Sequence, residues 1–496
     1  MPGRRSVPLG AALIAWLFAP VLPCRAADWP MWRCDPNRSG STAEQLPGEL
    51  HLQWVLRRPA LVPAWPDEPR MRFDAIYQPI VMGRTMFLAS SHSDSVTAVD
   101  IRSGREKWRF HADGPVRFAP AGWKDAVFVA SDDGHLYCLD AATGRLRWKF
   151  RGGPGKQRLL LGNERLISAW PVRGGPVVLD GPSTRSGRAE VYFAAGIWPF
   201  MGVFVYALDA ESGQVVWCND TTGSLYVKQP HNSPAFAGLA PQGYLAASGG
   251  TLLVPNGRAA AAGLDRRTGR LLHFRHSENK QFGHCEVAVV GSHFVNSGRL
   301  ARLTDGRDAF ALAPSGENVG LRYSRSSIVS YDQVTGEELA PIGAVGVLAG
   351  GVSYQSGGDV IVARDVRRPI TRVVVDYRGR RGRRSDLRVL WELATRAKPM
   401  LRAGDRLYSA DGHEIAAFDL SGRETMPALP EDPNDPIVVV GEDPLPPPPR
   451  LCWRTKVDGT PAAMIAAGGR LFVITKEGSI CCYAEREVAE PAVIES

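Results

Sequence analysis

The chain has 496 residues, a formal net charge of +8, and 22% charged against 44% hydrophobic residues. This balance is typical of a globular protein and excludes a chain that is disordered throughout. Gly occurs 52 times, Pro 38 times and Trp 13 times. Such usage favours short strands separated by turns and excludes a coiled coil, a helical bundle and a collagen.

The first 26 residues have the three parts of a secretory signal. Arg4 and Arg5 precede an apolar run at residues 9–22 that is too short to span a bilayer, and Ala26 is a small residue suited to cleavage. The alternatives are an uncleaved anchor and a lipid on Cys24, for which the preceding Pro23 is unfavourable. We predict a signal peptide at 1–26 and export to the periplasm or the extracellular space.

The remaining chain has a mild positive charge and few special cysteine patterns. Removing residues 1–26 removes three arginines and no acid, so the net charge falls from +8 to +5, which does not require a nucleic-acid partner. Seven scattered cysteines remain and none forms a C-x-x-C pair. A disulfide framework and a c-type haem site are therefore not expected.

An internal repeat dominates the sequence. Residues 77–110 and 117–150 align without a gap, forty positions apart, and share an aspartate, a glycine and a tryptophan at equivalent places. In the first copy these are Asp100, Gly104 and Trp108. A fixed period of this length indicates a repeat architecture.

Each copy contains short segments of alternating apolar and polar residues, which predict strands. The segments between the third and fourth strands have the form D-x-x-[ST]-G, in which Asp accepts hydrogen bonds from the turn backbone and Gly supplies a positive φ. One copy is thus predicted to be a four-stranded antiparallel sheet. Alone it would expose its edges, so it must pack against neighbouring copies.

Further copies follow with decreasing clarity. We identify them at residues 189–217 with Asp209 and Trp217, at 252–274 with Asp265 and His273 in the Trp position, at 326–340 with Asp332, Gly336 and Ala340, at 371–393 with Asp376 and Trp391, at 406–456 with Asp419, Gly422 and Trp453, and at 469–484, which stops before a fourth strand.

The missing fourth strand has a candidate at the other end of the propeller sequence. Residues 52–56 precede the first full copy, and Trp54 has the place that Trp108 has in its copy. Pairing this strand with the last copy would close a ring and remove the free edges. The fold predicted is all-β, an eight-bladed β-propeller, with seven blades as the alternative if the copies around Asp332 and Asp376 form one blade.

The repeat pattern A-x-D-x-x-[ST]-G-x-x-x-W, seen in Ala98, Asp100, Ser103, Gly104 and Trp108, resembles the tryptophan-docking repeat of quinoprotein alcohol dehydrogenases and their non-enzymatic relatives. Residues 28–40 resemble the leader of exported PQQ-like repeat proteins. The resemblance implies a PQQ-like β-propeller. A better-known relative is the propeller lipoprotein of the outer-membrane β-barrel assembly machinery, but its lipidation motif is absent here, so that role is not carried over.

Three groups of residues are candidates for a chemical site. The turn aspartates recur in every copy, which favours a structural role over calcium binding. Cys481 and Cys482 are adjacent, as in a cofactor-stacked vicinal disulfide, but neighbours in a strand point to opposite faces. The third group is dense in metal-ligand types without a known spacing, and comprises His273, His276, Glu278, His284, Cys285 and Glu286.

Two insertions differ in charge. Residues 364–388 contain ten arginines, and residues 431–450 combine a proline run with the acids Glu431, Asp432, Asp435, Glu442 and Asp443. The first is interpreted as a long solvated hairpin that meets the acidic insertion. The alternative is a surface for an anionic partner, although a single aromatic residue, Tyr377, lies among the arginines.

These observations predict a leader at 27–51, a propeller at 52–484 and a disordered tail at 485–496. We expect a monomeric binding or protein-interaction scaffold that does not span a membrane. Its partner would be a protein, or a small-molecule or polysaccharide ligand, on the loop face or in the channel, and not nucleic acid. No catalytic, cofactor-binding or metal-binding residue is assigned and no cofactor is expected. The alternative is an oxidoreductase of alcohols or sugars that uses PQQ and calcium.

Overall fold

The structure is a computed structural model. It describes residues 27–182, 188–228, 233–257, 259–275, 283–311, 319–323, 328–332, 338–342, 346–357, 359–375, 381–423, 438–439 and 445–495. The predicted signal peptide at 1–26 lies outside this part of the chain. Within these ranges, no helix has the length and apolar character that crossing a membrane requires.

Strands make up nearly all the regular structure of the described residues. The strands of the first half are β1 (Ser41–Thr42), β2 (His51–Arg57), β3 (Ile80–Met82), β4 (Thr85–Ser90), β5 (Ser95–Asp100), β6 (Glu106–His111), β7 (Ala121–Trp123), β8 (Ala126–Ala130), β9 (His135–Asp140), β10 (Leu146–Arg151), β11 (Leu159–Gly162), β12 (Arg165–Ser168), β13 (Val172–Asp180), β14 (Ala189–Ala195), β15 (Phe204–Asp209), β16 (Val215–Asn219), β17 (Tyr226–Lys228), β18 (Pro234–Phe236), β19 (Gly243–Tyr244), β20 (Ala246–Ser248), β21 (Thr251–Asn256) and β22 (Ala259–Asp265).

The second half continues in the same way. Its strands are β23 (Leu271–His273), β24 (Val287–Val290), β25 (His293–Asn296), β26 (Arg299–Arg302), β27 (Asp308–Ala311), β28 (Val319–Tyr323), β29 (Ile328–Asp332), β30 (Glu338–Ile342), β31 (Val347–Ala349), β32 (Val352–Ser356), β33 (Val360–Val375), β34 (Arg381–Ala394), β35 (Lys398–Ala403), β36 (Arg406–Asp411), β37 (Glu414–Asp419), β38 (Val438–Val439), β39 (Arg450–Lys456), β40 (Pro461–Ala467), β41 (Arg470–Thr475), β42 (Ile480–Ala484) and β43 (Ala492–Glu495). Among the residues that the structure describes, three single-turn 3-10 helices lie at Pro69–Met71, Pro199–Met201 and Thr222–Ser224.

These strands form an eight-bladed propeller, which confirms the predicted fold class. The first strands of neighbouring blades lie side by side around the central channel in six pairs, namely β3 and β7, β7 and β13, β20 and β24, β24 and β31, β31 and β35, and β35 and β40. The blades are β3 to β6, β7 to β10, β13 to β16, β20 to β23, β24 to β27, β31 to β34, then β35, β36, β37 and β39, and finally β40, β41, β42 and β2.

The count of eight is correct, but two copies were misidentified. Blade 5 is formed by β24 to β27, which were not recognised because Arg302 and Phe310 stand where the repeat has Asp and Trp. The copy predicted around Asp332 is instead a separate three-stranded sheet, β28 to β30. Its sequence matches the turn pattern of the repeat, but its described strands number three, one fewer than a blade has.

Blade 6 also differs in its turn residue. Ala363 pairs with Trp391 as Ala98 pairs with Trp108, so Asp365 has the position predicted for Asp376. Asp376 itself lies outside the described residues. The insertion is therefore a lengthened hairpin of β33 and β34, as predicted, and β38 of the acidic insertion pairs in parallel with β33 at Thr371 and Arg372. The acids of that insertion lie outside the described residues.

The repeated aspartate and glycine have the structural roles that their spacing predicts. Asp100 Oδ1 accepts from the backbone N–H groups of Arg102 and Ser103 at 3.0 and 3.1 Å. Gly144 has φ +71°, and a Cβ there would lie 2.6 Å from Trp108 of the preceding blade. Glycine is required twice over, by the left-handed backbone and by the close aromatic ring.

Aromatic docking joins successive blades. In four of these contacts the ring lies against the turn glycine of the next blade and donates to a carbonyl oxygen of the same turn, whereas Trp148 lies against Gly213 without a hydrogen-bond partner for its Nε1 among the described residues. The pairs are Trp54 to Ile101 at 3.2 Å, Trp108 to Ala141 at 3.1 Å, Trp217 to Arg266 at 2.8 Å and His273 to Leu303 at 3.0 Å. His273 thus fills the tryptophan position, as its place in the repeat predicts.

The ring closes as predicted, and the C-terminal tail strengthens the closure. β2 pairs antiparallel with β42, with Trp54 opposite Cys482. The tail expected to be disordered at 485–496 instead contains β43, which pairs in parallel with β2. Disorder was wrong because Ile494 packs against Gly104 of blade 1, an apolar contact that short-range composition does not reveal.

Candidate functional site

The propeller has two faces with different coverings. One side of the ring carries the turn between the first and second strands of a blade and the turn between the third and fourth strands. We call this side the leader face. We call cap face the side that carries the turns between second and third strands and the connections between blades. The candidate site is the central channel together with its coverings on these two faces.

The leader closes the channel on the leader face. It follows the ring of first strands, and its carbonyl oxygens accept backbone N–H groups from seven blades in turn. These bonds are Val81 to Trp29 at 2.8 Å, Gly122 to Pro30 at 2.6 Å, Ala247 to Pro36 at 2.8 Å, Val289 to Asn37 at 2.7 Å, Leu348 to Ser39 at 2.9 Å, Arg402 to Gly40 at 3.0 Å and Gly468 to Ala27 at 3.4 Å.

Arg38 connects the leader to the channel interior. Its guanidinium is fully buried and donates to the carbonyl oxygens of Leu245, Trp32 and Pro176 at 2.8, 2.9 and 2.9 Å. The bond to Pro176 reaches blade 3, so the leader contacts all eight blades. Burial lowers the pKa of Arg38 to about 10, and the three carbonyl dipoles compensate the charge in place of a carboxylate.

Aromatic rings fill the middle of the channel. Trp32 of the leader stacks on Tyr244 with centroids 4.2 Å apart. Tyr244 meets the edge of Phe118 at 5.0 Å, and Phe118 stacks on Phe73 at 4.6 Å with 7° between the planes. The stack runs from the leader towards the cap face, so the residues that meet in the channel come from distant parts of the chain.

An ion cluster lies above the aromatic stack. Arg117 binds Asp74 and Asp132 at 2.6 Å each, and Arg173 binds both oxygens of Asp132 at 2.7 and 3.0 Å. Asn163 accepts from Arg173 at 2.7 Å. The four charged groups are all buried, and two guanidiniums balance two carboxylates.

Burial and pairing act in opposite directions on this cluster. Burial raises the pKa of Asp74 and outweighs the lowering by Arg117. Burial alone would lower the pKa of Arg117, but the carboxylates of Asp132 and Asp74 raise it. One donor, Nη1 of Arg173, has no hydrogen-bond partner among the described residues, which leaves this guanidinium with unused capacity.

A cap covers the cluster on the cap face. It consists of residues 59–75 and the hairpin of β11 and β12. Asn163 in the hairpin turn donates to the carbonyl oxygen of Ala64 at 2.7 Å, and the Ala64 N–H donates to Asp74 at 3.0 Å. The backbone carbonyl oxygen of Arg70, at the far end of the cap, accepts from the Cys285 N–H at 2.8 Å. The cap therefore spans the channel from blade 1 to blade 5.

The cap face presents an exposed apolar surface. Of the fourteen large apolar side chains that are exposed among the described residues, seven lie on the turns and connecting segments of the cap face, with exposures of 53–76%. We call these residues the apolar face: Val62, Leu159, Leu161, Leu166, Phe200, Tyr226 and Phe236. Monomeric proteins rarely leave such a group uncovered, and it is typical of an interaction site.

Hydrogen bonds connect the elements that carry the apolar face. Trp170, which follows the β11–β12 hairpin, donates to the Met201 carbonyl oxygen beside Phe200 at 3.0 Å. Ser224 donates to the Pro199 carbonyl oxygen at 2.8 Å, and Tyr226 pairs with Phe236 at 5.1 Å. The carriers of these side chains thus form one continuous surface structure.

A polar pocket of about 440 Å³ lies on the leader face between blades 2 and 3. Trp123, Lys124, Arg188 and Glu211 contribute to its lining. Arg147 at its side is neutralised by Asp125 and Asp140 at 2.7 and 2.6 Å. Its lining combines three cations, Lys124, Arg147 and Arg188, with three acids, Asp125, Asp209 and Glu211, so the charges favour neither an anionic nor a cationic ligand.

The residues weighed as chemical sites in the sequence do not assemble into one. Cys481 and Cys482 are free, buried thiols, whose burial raises the pKa of each to about 12. Within the ranges that the structure describes, no three His, Cys, Asp or Glu side chains are placed to hold a metal. His276 and Glu278 of the predicted histidine cluster lie outside those ranges.

Three comparisons place the fold among known proteins. Residues 32–192 match the family profile described as outer membrane protein assembly factor BamB. The solved structure of quinohemoprotein alcohol dehydrogenase from Comamonas testosteroni aligns with a TM-score of 0.54 and 15% identity over 93% of this chain and 82% of that chain. The fold is therefore that of a quinoprotein-type propeller.

Curated relatives extend the comparison. The alcohol dehydrogenase (quinone) subunit of Gluconacetobacter polyoxogenes is 29% identical over 167 residues, 32% of this chain and 20% of that protein. The 1-butanol dehydrogenase (quinone) of Thauera butanivorans is 25% identical over 233 residues, 42% of this chain and 35% of that protein. The chain is similar to these PQQ-like β-propeller proteins over part of its length, and its alignments span a fifth to a third of these relatives.

The prediction that no cofactor belongs to this chain is wrong on these comparisons, because the matching relatives are named as quinone-dependent dehydrogenases. The side chains of the ion cluster have the chemistry that a quinone cofactor and its cation would need. Its two guanidiniums could bind carboxylates, and the oxygens of Asp74, Asp132 and Asn163 could bind a cation. The channel has no room for the cofactor while the cap lies in it. Phe73 and Phe118 stack on each other and leave no free ring face between them.

Sequence reasoning did not find the ion cluster or the apolar face. Asp74 lies in the cap, Arg117 precedes β7, Asp132 lies in the turn between β8 and β9, and Arg173 lies in β13. No local spacing relates these four residues. The hairpin was recognisable in principle, because a Gly-Asn turn separates two Leu-containing runs at residues 159–168.

Proposed function

We propose that this propeller is a binding scaffold that docks a protein partner on its cap face. The observation that carries the proposal is the apolar face, seven exposed apolar side chains on one covering of the ring. Burying such side chains supplies about 1.5–3 kcal/mol each for the larger ones, which is enough to drive association. Radial repeats provide a rigid base for these loops.

The closed channel supports the same function. The leader and the cap occupy its two ends, so the surface offered to other molecules lies outside the ring. The proposal includes export directed by the predicted signal peptide at residues 1–26. It also includes a periplasmic or extracellular location and a monomeric state. Docking through the cap face does not depend on whether the channel can also accept a quinone.

Site-specific crosslinking tests the scaffold function. A photoreactive amino acid replaces Leu161 on the apolar face, and in a matched control it replaces Leu146, which is exposed on β10 away from the cap. Irradiation of the cells that produce the protein should give a discrete adduct from position 161 and none from position 146. Equal labelling at both positions, or none at either, contradicts the proposal.

A second candidate function is quinone-dependent oxidation of alcohols or sugars. It is favoured by the named activities of the curated relatives and by the unpaired Nη1 of Arg173 in a cluster of suitable donors. Residues 59–75 would have to leave the channel before a quinone could enter. In that case Arg117 and Arg173 would hold the carboxylates of PQQ. When bound, PQQ would accept the electrons of the substrate.

The test is titration of the chain with PQQ and calcium, followed by tryptophan fluorescence, with a dye-reduction assay on alcohols and sugars. Saturable quenching together with dye reduction would establish the oxidoreductase and displace the scaffold as the main function. Trp32 and Trp65 near the channel are the expected reporters. Without quenching at high micromolar quinone, the oxidoreductase is excluded.

A further inference from the structure

The β11–β12 hairpin is a two-sided element. Leu160 and Ile167 on its inner side pack against the core, whereas Leu159, Leu161 and Leu166 on its outer side are exposed. Leu161 pairs with Leu166 across the two strands. The outer side is therefore a small flat apolar sheet with no covering in the described structure.

This surface is held in place before any partner binds. Asn163 in the turn joins the Ala64 carbonyl oxygen to Arg173. Arg165 donates to the Ser91 carbonyl oxygen at 3.0 Å and pairs with Asp94. A preformed surface loses little conformational freedom on binding, which favours affinity.

Charge at the margin of the hairpin identifies the complementary partner. Lys156 and Arg158 are exposed just before β11, and neither forms an ion pair within the described part of the chain. Glu164 is the single acid between residues 152 and 168. The margin carries excess positive charge, which attracts and orients an acidic partner.

We propose that the apolar face receives an amphipathic segment of a second protein, apolar on one side and acidic along its margin. This inference rests on the proposed scaffold function and names its partner class. A protein segment is favoured over a lipid surface because Glu164 is exposed in the turn beside the leucines. Insertion of that turn into hydrocarbon would bury an unpaired carboxylate.

The experiment uses two designed peptides of about 18 residues, five helical turns, with the same leucine stripe. One peptide has Glu on its polar side and the other has Lys. Binding of each labelled peptide to the full chain is measured by fluorescence anisotropy. The acidic peptide should bind about tenfold more tightly than the basic one.

Variants locate the binding. Leu161→Asn with Leu166→Asn should weaken the acidic peptide by about tenfold or more, because two apolar contacts are lost. Lys156→Glu with Arg158→Glu should abolish the preference for the acidic peptide. Leu146→Asn on β10 is the matched control and should bind as the wild type does. All five positions are exposed, so thermal melting should show each variant folded.

Three outcomes would overturn the inference. The first is equal affinity for both peptides, or no binding of either. The second is wild-type affinity for the acidic peptide in the leucine variant. The third is flotation of the chain with phosphatidylglycerol vesicles that depends on Leu161, which would assign the apolar face to a membrane. A discrete crosslink at position 161 alongside any of these results would keep the scaffold function and reject only this partner class. Absence of that crosslink would reject the scaffold itself.

Discussion

Trp54, in the first long strand of the chain, donates its indole N–H to the Ile101 carbonyl oxygen of blade 1 at 3.2 Å. The same strand is the fourth strand of blade 8, where Trp54 stands opposite Cys482. One side chain thus completes the last blade and docks it on the first. The ring is closed by the same kind of contact that joins blade 1 to blade 2 through Trp108 and blade 3 to blade 4 through Trp217.

Loss of this contact should open the ring. Trp54 is almost fully buried, so Trp54→Ala should reduce the free energy of unfolding by about 3–5 kcal/mol. Urea denaturation followed by circular dichroism measures the change. Trp54→Phe keeps most of the buried area and should cost clearly less, whereas equal losses in the two variants would mean that the docking volume is unimportant.

The turn glycines should differ in their tolerance of a side chain. Gly144→Ala introduces a Cβ 2.6 Å from Trp108 at φ +71°, and we expect a loss of more than about 2 kcal/mol. Gly83→Ala at φ +56° has no atom within 4 Å and should cost about 1 kcal/mol. Thermal melting of the two variants compares them directly. Similar melting temperatures would contradict the docking interpretation.

Arg38 should be essential for the leader. Arg38→Met leaves three buried carbonyl oxygens without their donor, which should cost about 3–5 kcal/mol. Limited proteolysis should then cleave the leader faster than in the wild type. Arg102→Met, at an exposed turn, is the control and should change stability by less than about 0.5 kcal/mol. Resistance of the leader in the Arg38 variant would show that its backbone bonds suffice.

The ion cluster should be sensitive to removal of its central carboxylate. Asp132→Asn leaves Arg117 and Arg173 with unbalanced buried charge, and we expect a loss of about 3–5 kcal/mol. Asp125→Asn removes the exposed partner of Arg147 and should cost less than about 1 kcal/mol. Denaturant midpoints of the two variants measure the difference. A tolerated Asp132→Asn would indicate that the cap holds without the cluster.

Acid should destabilise the docking of blade 4. Burial lowers the pKa of His273 below 6.5, although the bond to Leu303 raises it. The unfolded chain therefore binds the proton more readily, and stability is present above about pH 6.5 and lost as the pH falls. His273→Phe should lose less stability than the wild type between about pH 7 and pH 5. His284 and His293, whose pKa values burial also lowers, remain in both proteins.

Parallel pH dependences in the two proteins would contradict this assignment. The comparison is made by denaturant unfolding at each pH, so that the difference between wild type and variant cancels the contribution of the shared histidines. A steeper loss of stability with falling pH in the variant would mean that His273 binds a proton more tightly in the folded chain than in the unfolded chain.

Much of the ring was predictable because its determinants are local. Asp100, Gly104 and Trp108 recur at a fixed spacing, since one hairpin turn and one docking contact are needed in each blade. Trp54 was recognised by the same spacing. Blade 5 was missed because Arg302 and Phe310 occupy the positions of the usual Asp and Trp, although the backbone turn and the strand pairing are the same as in the other blades.

The sequence by itself determined the strands, the turns and the closed ring, because alternation, turn chemistry and docking each act within a few tens of residues. Only the tertiary structure decided what the ring contains. Asp74, Arg117 and Asp132 meet because the closed ring brings separate connections to one axis, and Trp32 meets Tyr244 for the same reason. Burial at that axis depends on all eight blades at once, so no single segment encodes it.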